Sequence, residues 1–181
     1  LFICVDAGAA HLSYRASPAK YKVRDLPDIR VRMRDGVEIA VRITRPDGEG
    51  RFPALMSYSP YRALSTFKSA ASDREYSSKL NAPHYFAERG YVFVNFDVRG
   101  TGSSGGSSTD MYSDTERQDG YDMVEWIAAQ RWSNGDVALW GFSYAGVTAL
   151  QVAAMAPPSL KAVIVGSAPD AEAEPRLGLV A

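Results

Sequence analysis

Residues 136–146 read Asp-Val-Ala-Leu-Trp-Gly-Phe-Ser-Tyr-Ala-Gly, and the hydrophobic pattern changes within them. The apolar residues that open this stretch predict a buried strand, whereas the Ala-, Leu- and Val-rich run that continues to Pro157 predicts a helix. Gly141 and Ala145 lie two positions before and two after Ser143, and residues this small allow the strand and helix backbones to approach closely. We therefore predict a strand, a sharp turn that contains Ser143, and a helix.

The rest of the chain continues this alternation of strands and helices. Apolar strands are predicted at residues 53–58, 91–96, 136–140 and 161–166. Helices are predicted at residues 83–89, between an Asn81 cap and a stop at Gly90, from a capping box at 113–116 to a break at 133–135, and up to Pro157. This order predicts an α/β fold with a mostly parallel sheet that helices cover on both faces.

An antiparallel hairpin is predicted before the parallel strands. Apolar and arginine residues alternate over residues 29–34, and after Asp35-Gly36 the alternation resumes over residues 37–43. Asp-Gly between two such runs favours a tight turn, because both residues tolerate a positive φ. Residues 1–27 show no clear period, so we expect an extended or disordered lead-in, with the domain occupying residues 28–181.

Composition excludes several classes of protein. The 181 residues are 46% hydrophobic and 23% charged, which is typical of a single globular domain. A formal net charge of -1 argues against a nucleic-acid partner, and no apolar run is long enough to cross a membrane. One cysteine and two histidines, His11 and His84, predict neither a disulfide nor a metal site, and no cofactor is expected. Both histidines are expected to be ordinary residues rather than catalytic ones.

The turn at Ser143 suits nucleophilic chemistry. A sharp strand-to-helix turn exposes a serine hydroxyl, and the backbone N–H of Tyr144 at the helix start can donate to a developing oxyanion. The alternative is an ordinary connection that contains an incidental serine. The strand before the turn and the helix after it favour the nucleophile.

A second candidate follows the predicted strand at residues 53–58. In open α/β sheets ligands bind beyond the carboxyl ends of the strands, where Pro60 and Tyr61 lie. The hydroxyl of Tyr61, held by the rigid Pro60, is therefore a candidate oxyanion donor. Surface packing of Tyr61 is the equally simple alternative.

A glycine-rich segment follows the strand at residues 91–96. Gly100–Gly105 contains the Gly-x-Gly-x-x-Gly pattern of dinucleotide-binding turns, but several residues intervene before the next predicted helix. A pyrophosphate needs a helix N-terminus at the glycines, so dinucleotide binding is the weaker interpretation. We expect this loop to border an active site, with Asp97 and Arg99 paired to shape it.

Several segments together resemble the CocE/NonD group of α/β-hydrolases, which includes cocaine esterase-like enzymes, X-Pro dipeptidyl peptidases and α-amino acid ester hydrolases. The resemblance covers residues 28–168 and is carried by Met33-Arg34-Asp35-Gly36-Val37, Pro60-Tyr61, Asp97-x-Arg99-Gly100-x-Gly102, Asp119-Gly120-x-Asp122, Trp126-Ile127, Asn134-Gly135 and Gly141-x-Ser143-Tyr144-x-Gly146. It implies the α/β-hydrolase fold and acyl transfer from a small-molecule ester, amide or peptide to water. It further implies Ser143 as nucleophile, with the Tyr144 N–H and the Tyr61 hydroxyl as oxyanion donors.

The chain departs from that family's pattern after Ser143. Family members place an Asp and then a His after the nucleophile, beyond a cap and before a β-sandwich domain, yet no histidine follows Ser143 among these 181 residues. We therefore expect a fold incomplete at its C-terminus, with cap, last strands and β-sandwich absent. Because a serine without a base is a weak nucleophile, we expect little turnover from these residues alone. A non-catalytic binding module on the same scaffold is the alternative.

Overall fold

The computed structural model describes residues 16–61 and 82–168. Within these residues the chain forms six strands and three helices, which we number in chain order. The strands are β1 (Val23–Arg32), β2 (Glu38–Pro46), β3 (Phe52–Ser59), β4 (Val92–Asp97), β5 (Ser133–Phe142) and β6 (Leu160–Gly166). The helices are α1 (Ala82–Ala87), α2 (Asp114–Ala128) and α3 (Tyr144–Ala154).

All six strands belong to one sheet, in the order β1-β2-β4-β3-β5-β6. Strands β3, β4, β5 and β6 are parallel, whereas β2 is antiparallel to both β1 and β4. The predicted α/β fold with a mostly parallel sheet and an N-terminal antiparallel hairpin is confirmed.

The hairpin turns where the sequence predicts it. Gly36 has a φ of 89°, and Val37 donates its backbone N–H to Asp35 Oδ1 at 3.1 Å. Strand β1 begins earlier than the alternation indicates, since residues from Val23 onward already pair with β2. The register shifts between Leu26 and Ile29, where Pro27 has no N–H to offer the neighbouring strand. This bulge interrupts the alternation and hides the strand's beginning in the sequence.

Helices pack on both faces of the sheet, as predicted. On one face Tyr58 of β3 stacks on Phe96 of β4, with ring centroids 4.1 Å apart. Helices α2 and α3 pack closely against each other above these rings. A Cβ added to Gly120 of α2 would lie 2.3 Å from Val152 of α3 and 3.6 Å from Tyr58. On the other face Phe86 of α1 contacts the rings of Phe93 and Trp140. The central strands are apolar on both sides because helices cover both faces of the sheet.

The boundaries of β5 and α1 also differ from the predictions. Strand β5 begins at Ser133, inside the predicted break, because Ser133 pairs with Phe52 before the register shifts and Val137 pairs with Ala54. Gly135 has a φ of 96° and accommodates this irregularity. Helix α1 ends at Ala87 and is followed by a turn through Gly90, while the expected cap Asn81 lies outside the described residues.

Candidate active site

Ser143 lies in a strained turn between β5 and α3. Its φ of 56° and ψ of -121° fall in a region that non-glycine residues rarely adopt, and it is exposed. Its backbone is held from both sides, because its N–H donates to the Gly166 carbonyl at 3.0 Å and its own carbonyl accepts from Gly146 at 2.9 Å. Within the described residues its hydroxyl makes no capping hydrogen bond to α3, so Oγ stays available at the surface.

Close backbone packing forces the sharpness of this turn. A Cβ added to Gly141 would lie 2.0 Å from the carbonyl oxygen of Ala145 and 2.6 Å from the nitrogen of Gly146. No side chain fits such a gap, so the strand can approach the helix only with glycine at position 141. The requirement for a small residue two positions before Ser143 is therefore a physical one.

Tyr144 is the first residue of α3 and presents its backbone N–H beside Ser143. The first N–H groups of a helix have no acceptor within the helix, and the helix dipole gives this end a partial positive charge. An anion that forms next to Ser143 therefore meets a donor and a favourable field. The Tyr144 side chain is buried, with only 7% of the residue exposed.

Tyr61 lies next to this turn. It follows β3 directly, and its ring meets the ring of Tyr144 edge to face, with centroids 6.0 Å apart and an interplanar angle of 72°. Half of Tyr61 is exposed, at 53%. The structure thus brings together the three residues singled out from the sequence, Ser143, Tyr144 and Tyr61, although they lie on two different strand ends.

A buried carboxyl group lies behind Tyr144. Glu116 in the first turn of α2 is 1% exposed, and its Oε2 accepts hydrogen bonds from the Tyr144 hydroxyl at 3.1 Å and from the Tyr112 N–H at 3.0 Å. Burial raises the pKa of Glu116 to about 7. Sequence reasoning used Glu116 only as a capping-box residue, and its backbone N–H does donate to Ser113 Oγ at 3.2 Å. The helical periodicity of the sequence could have revealed that Glu116 is buried, because Glu116 lies on the same buried face of α2 as Met123.

The loop after β4 is shaped by Arg99, although not through Asp97. Arg99 donates two hydrogen bonds of 2.6 Å to Asp119 of α2 and one of 2.8 Å to Asp35 in the hairpin turn. Asp97 instead accepts from the backbone N–H of Ser103 at 3.2 Å. The predicted Asp97–Arg99 pair is therefore wrong: Asp97 ends a buried strand and bonds its own loop, while the longer arginine reaches two other elements. Hydrogen bonds to Asp119 raise the pKa of Arg99, so it is charged at all accessible pH values.

The glycine-rich loop does not open a helix. In the part of the chain that the structure describes, the next helix after Asp97 starts only at Asp114. The glycines instead allow the loop to fold on itself, because a Cβ on Gly100 would lie 2.3 Å from the Ser108 nitrogen and one on Gly102 2.1 Å from Asp97 Oδ2. This geometry lacks the helix N-terminus that a pyrophosphate requires, which disfavours dinucleotide binding.

His84 lies at the opposite end of the sheet from Ser143. Its Nε2 is 2.9 Å from Asp25 Oδ2, and Asp25 pairs with Thr44, which in turn pairs with Phe93 near the beginning of β4. Ser143 follows the other, carboxyl end of the parallel strands. His84 is therefore a partly exposed surface residue, as expected, and His11 lies outside the described residues.

Two further features concern residues 16–61 and 82–168, which are the residues that the structure describes. This part of the chain contains no group of three or more His, Cys, Asp or Glu side chains placed to hold a metal ion. It also contains no helix of the length and apolar character needed to span a bilayer.

The sheet order, the strained serine between β5 and α3, and the adjoining strand ends define an α/β-hydrolase. Residues 35–174 match the family described as X-Pro dipeptidyl-peptidase (S15 family). The chain therefore belongs to the X-Pro dipeptidyl-peptidase (S15) family, and the resemblance to CocE/NonD hydrolases is confirmed.

Individual relatives agree with this assignment. The cocaine esterase of Rhodococcus sp. (strain MB1 Bresler) is 34% identical over 136 residues, which are 75% of this chain and 22% of the esterase. A CocE/NonD family hydrolase from Staphylococcus aureus superposes with a TM-score of 0.63 at 31% identity, covering 77% of this chain and 26% of that one. An α-amino acid ester hydrolase superposes with a TM-score of 0.59 at 25% identity, covering 88% and 28%. The chain spans about a quarter of the length of these relatives.

Proposed function

We propose that this protein is a serine hydrolase that transfers acyl groups from small-molecule esters, amides or peptides to water. The observation that carries the proposal is the exposed Ser143 hydroxyl on a left-handed turn at the N-terminus of α3. A serine held in this strained conformation serves no capping role, so its geometry is best explained by presentation of the hydroxyl. The named activities of the relatives support the same class of reaction.

The residues have separate roles in the proposed reaction. Ser143 Oγ attacks the carbonyl carbon of the substrate while its proton passes to a general base. The oxygen that becomes negative accepts hydrogen bonds from the Tyr144 N–H and the Tyr61 hydroxyl. The bond to the leaving group then breaks, the leaving group takes the proton, and water later frees the acyl group from Ser143.

The general base is proposed to come from outside these 181 residues. The histidine within the described residues, His84, is bonded to Asp25 at the far end of the sheet. The family pattern supplies an Asp and a His after the nucleophile, and these would act on Ser143 from segments outside the 181 residues. By this proposal the 181 residues alone turn over substrate slowly or not at all.

Labelling by a fluorophosphonate tests the proposal. The full-length gene product that contains these residues should label at Ser143, identified by peptide mass spectrometry, and should hydrolyse p-nitrophenyl acetate. The Ser143→Ala variant should do neither, and the 181-residue chain should label far more slowly. A folded full-length protein that neither labels nor hydrolyses any acyl substrate contradicts the proposal.

Tyr61→Phe tests the proposed oxyanion donor. This change removes the hydroxyl and keeps the ring that contacts Tyr144. We expect kcat to fall about 100-fold with an unchanged melting temperature, as for the loss of one oxyanion donor elsewhere. A matched control is Tyr85→Phe, because Tyr85 is also exposed but lies on α1.

The proposed substrates are no narrower in class than the substrates named for the relatives. Parallel assays with an aryl ester, an α-amino acid ester and an X-Pro peptide p-nitroanilide would rank the three bond types. A non-catalytic binding module is the second candidate, favoured by the lack of a histidine after Ser143 in the 181 residues. It predicts saturable binding of acyl compounds without labelling of Ser143.

A further inference from the structure

The buried carboxyl of Glu116 has no part in the proposed reaction, yet it contacts the residue that supplies an oxyanion donor. Glu116 Oε2 accepts the hydrogen bond of the Tyr144 hydroxyl at 3.1 Å, in a fully buried setting. The same oxygen accepts from the backbone of Tyr112 at 3.0 Å, and the ring of Tyr112 packs on that of Tyr144 at 4.5 Å. Helix α2 therefore contacts Tyr144 through its hydroxyl, and the preceding loop contacts it through its ring.

Through Tyr144, the contacts with Glu116 and Tyr112 affect the positions of both proposed oxyanion donors. Its backbone N–H is the first donor, and the contacts of its side chain with Glu116 and Tyr112 anchor this first residue of α3. Its ring supports the ring of Tyr61, whose hydroxyl is the second donor, with 6.0 Å between centroids. One side chain therefore connects Glu116 to each half of the oxyanion site.

The surroundings of Glu116 are polar but incompletely bonded. The groups that face it are Tyr144 of α3, Tyr58 of β3, Tyr112 of the loop, and Asp119 of its own helix with Arg99 beyond. Among the described residues, neither Glu116 Oε1 nor the buried Tyr58 hydroxyl has a hydrogen-bond partner. A carboxyl group kept here costs stability, since an unpaired buried polar atom is unfavourable. A role in structure alone would be met more cheaply by an apolar side chain.

We infer that Glu116 is a positioning residue of the acyl-transfer site, which holds Tyr144 through its hydroxyl and thereby sets both oxyanion donors. This inference rests on the proposed function. Ionisation of Glu116 places a negative charge behind the donors, so the neutral form favours the oxyanion. Loss of the contact loosens both donors, and a misplacement of this kind lowers the rate without removing any reacting group.

Four variants of the full-length gene product test the inference by the rate of fluorophosphonate labelling and by kcat against KM. Tyr144→Phe keeps the ring and the backbone N–H but removes the hydroxyl, and Glu116→Leu removes its acceptor. We expect each to lower kcat about 10-fold with KM little changed, and the double variant to be no worse than the poorer single one. Glu116→Gln keeps an acceptor for Tyr144 and gains a donor for Tyr58. The Glu116→Gln variant should restore most of the rate. In wild type the rate should fall near neutral pH as the carboxyl ionises, and in this variant that fall should be absent.

A matched control separates positioning from general stability. Ile127→Val truncates a fully buried side chain on the same helix, distant in sequence from Glu116, and should leave kcat unchanged. If wild type labels at Ser143 and Tyr144→Phe and Glu116→Leu label at the same rate, the inference is overturned while the proposed function stands. The inference is also overturned if the rate of every variant, including the Ile127→Val control, falls in proportion to the loss in its melting temperature. A wild type that never labels overturns the proposed function and this inference together.

Discussion

At the scale of single residues, Ser143 shows how strain and exposure coincide. Its φ of 56° is held by hydrogen bonds to Gly166 and from Gly146, so the surrounding fold imposes the conformation. A non-glycine residue in such a region costs about 1–3 kcal/mol. The proposed role of Ser143, which requires an exposed hydroxyl, gives a reason for a serine at this position despite the cost.

Replacement of Ser143 by glycine should therefore stabilise the fold while it abolishes labelling. Compared with Ser143→Ala, which keeps the Cβ and the strain, Ser143→Gly should be more stable by about 1 kcal/mol, after allowance for the greater freedom of glycine in the unfolded chain. Urea denaturation of both variants measures the difference. Equal stabilities would show that the turn is not strained.

Glu116 should give the domain a pH-dependent stability. Burial raises its pKa from 4.5 to about 7, so between these values the folded state holds a proton that the unfolded chain has released. Stability should consequently fall as pH rises through this interval, by at most about 3 kcal/mol. Denaturant midpoints at several pH values check the sign, and Glu116→Gln should flatten the curve. A wild-type stability that rises over this range contradicts the assigned protonation.

At the scale of elements, the unit of β5, turn and α3 depends on how closely two backbones approach. Gly141 lies against the Ala145 carbonyl at a distance that excludes any Cβ, whereas a Cβ on Gly146 would meet a side-chain atom of Val165 at 3.1 Å. The contact at Gly141 cannot be relieved without moving the turn. At Gly146 the valine side chain can shift, and the Gly166 carbonyl oxygen, at 3.3 Å, would need to move only by a few tenths of an ångström. The two glycines therefore differ in what they allow.

Gly141→Ala and Gly146→Ala form a matched pair of substitutions. We expect Gly141→Ala to destabilise by about 3 kcal/mol or more, as overpacking against backbone does, and to abolish labelling of Ser143. Gly146→Ala should stay within about 1 kcal/mol of wild type, because the higher helix propensity of alanine offsets the tight contact. Thermal unfolding and labelling rates measure both. Similar effects of the two changes would contradict the close approach of the Ala145 backbone to Gly141.

At the scale of the whole molecule, Arg99 joins three parts of the chain that lie far apart in sequence. It connects the loop after β4 to Asp119 on α2 and to Asp35 in the hairpin turn. Only 2% of the Asp119 side chain is exposed, so its charge depends on this arginine. The neighbouring Arg34–Asp122 pair also joins the hairpin to α2, but 58% of the Arg34 side chain is exposed.

Arg99→Met should destabilise the domain by about 3–5 kcal/mol, because it leaves the buried Asp119 unpaired. The double variant Arg99→Met, Asp119→Leu should recover much of this loss. Arg34→Met is the matched control and should leave the unfolding midpoint close to wild type, since exposed ion pairs contribute little. Chemical denaturation of the four proteins tests these expectations. A double variant as unstable as Arg99→Met would show that the pairing is not the source of the effect.

Local patterns were sufficient to predict much of this molecule. Hydrophobic periodicity located the strands and helices, Asp35-Gly36 located the hairpin turn, and small residues around Ser143 located the sharp turn. Element boundaries failed where a bulge intervened, at Pro27 and Gly135, because an extra residue breaks the alternation from which a strand is read. Those errors are local and leave the order of the elements unchanged.

Amino-acid order by itself determined the class of fold, the serine turn and the family, since each is read from local patterns and from their order along the chain. Tertiary structure alone decided which side chains meet. It placed the ring of Tyr61 against that of Tyr144, paired Arg99 with Asp119 rather than with Asp97, and buried Glu116 against the Tyr144 hydroxyl. Such pairings depend on how strands and helices stack in space, and burial, which raises the pKa of Glu116, exists only once they have packed.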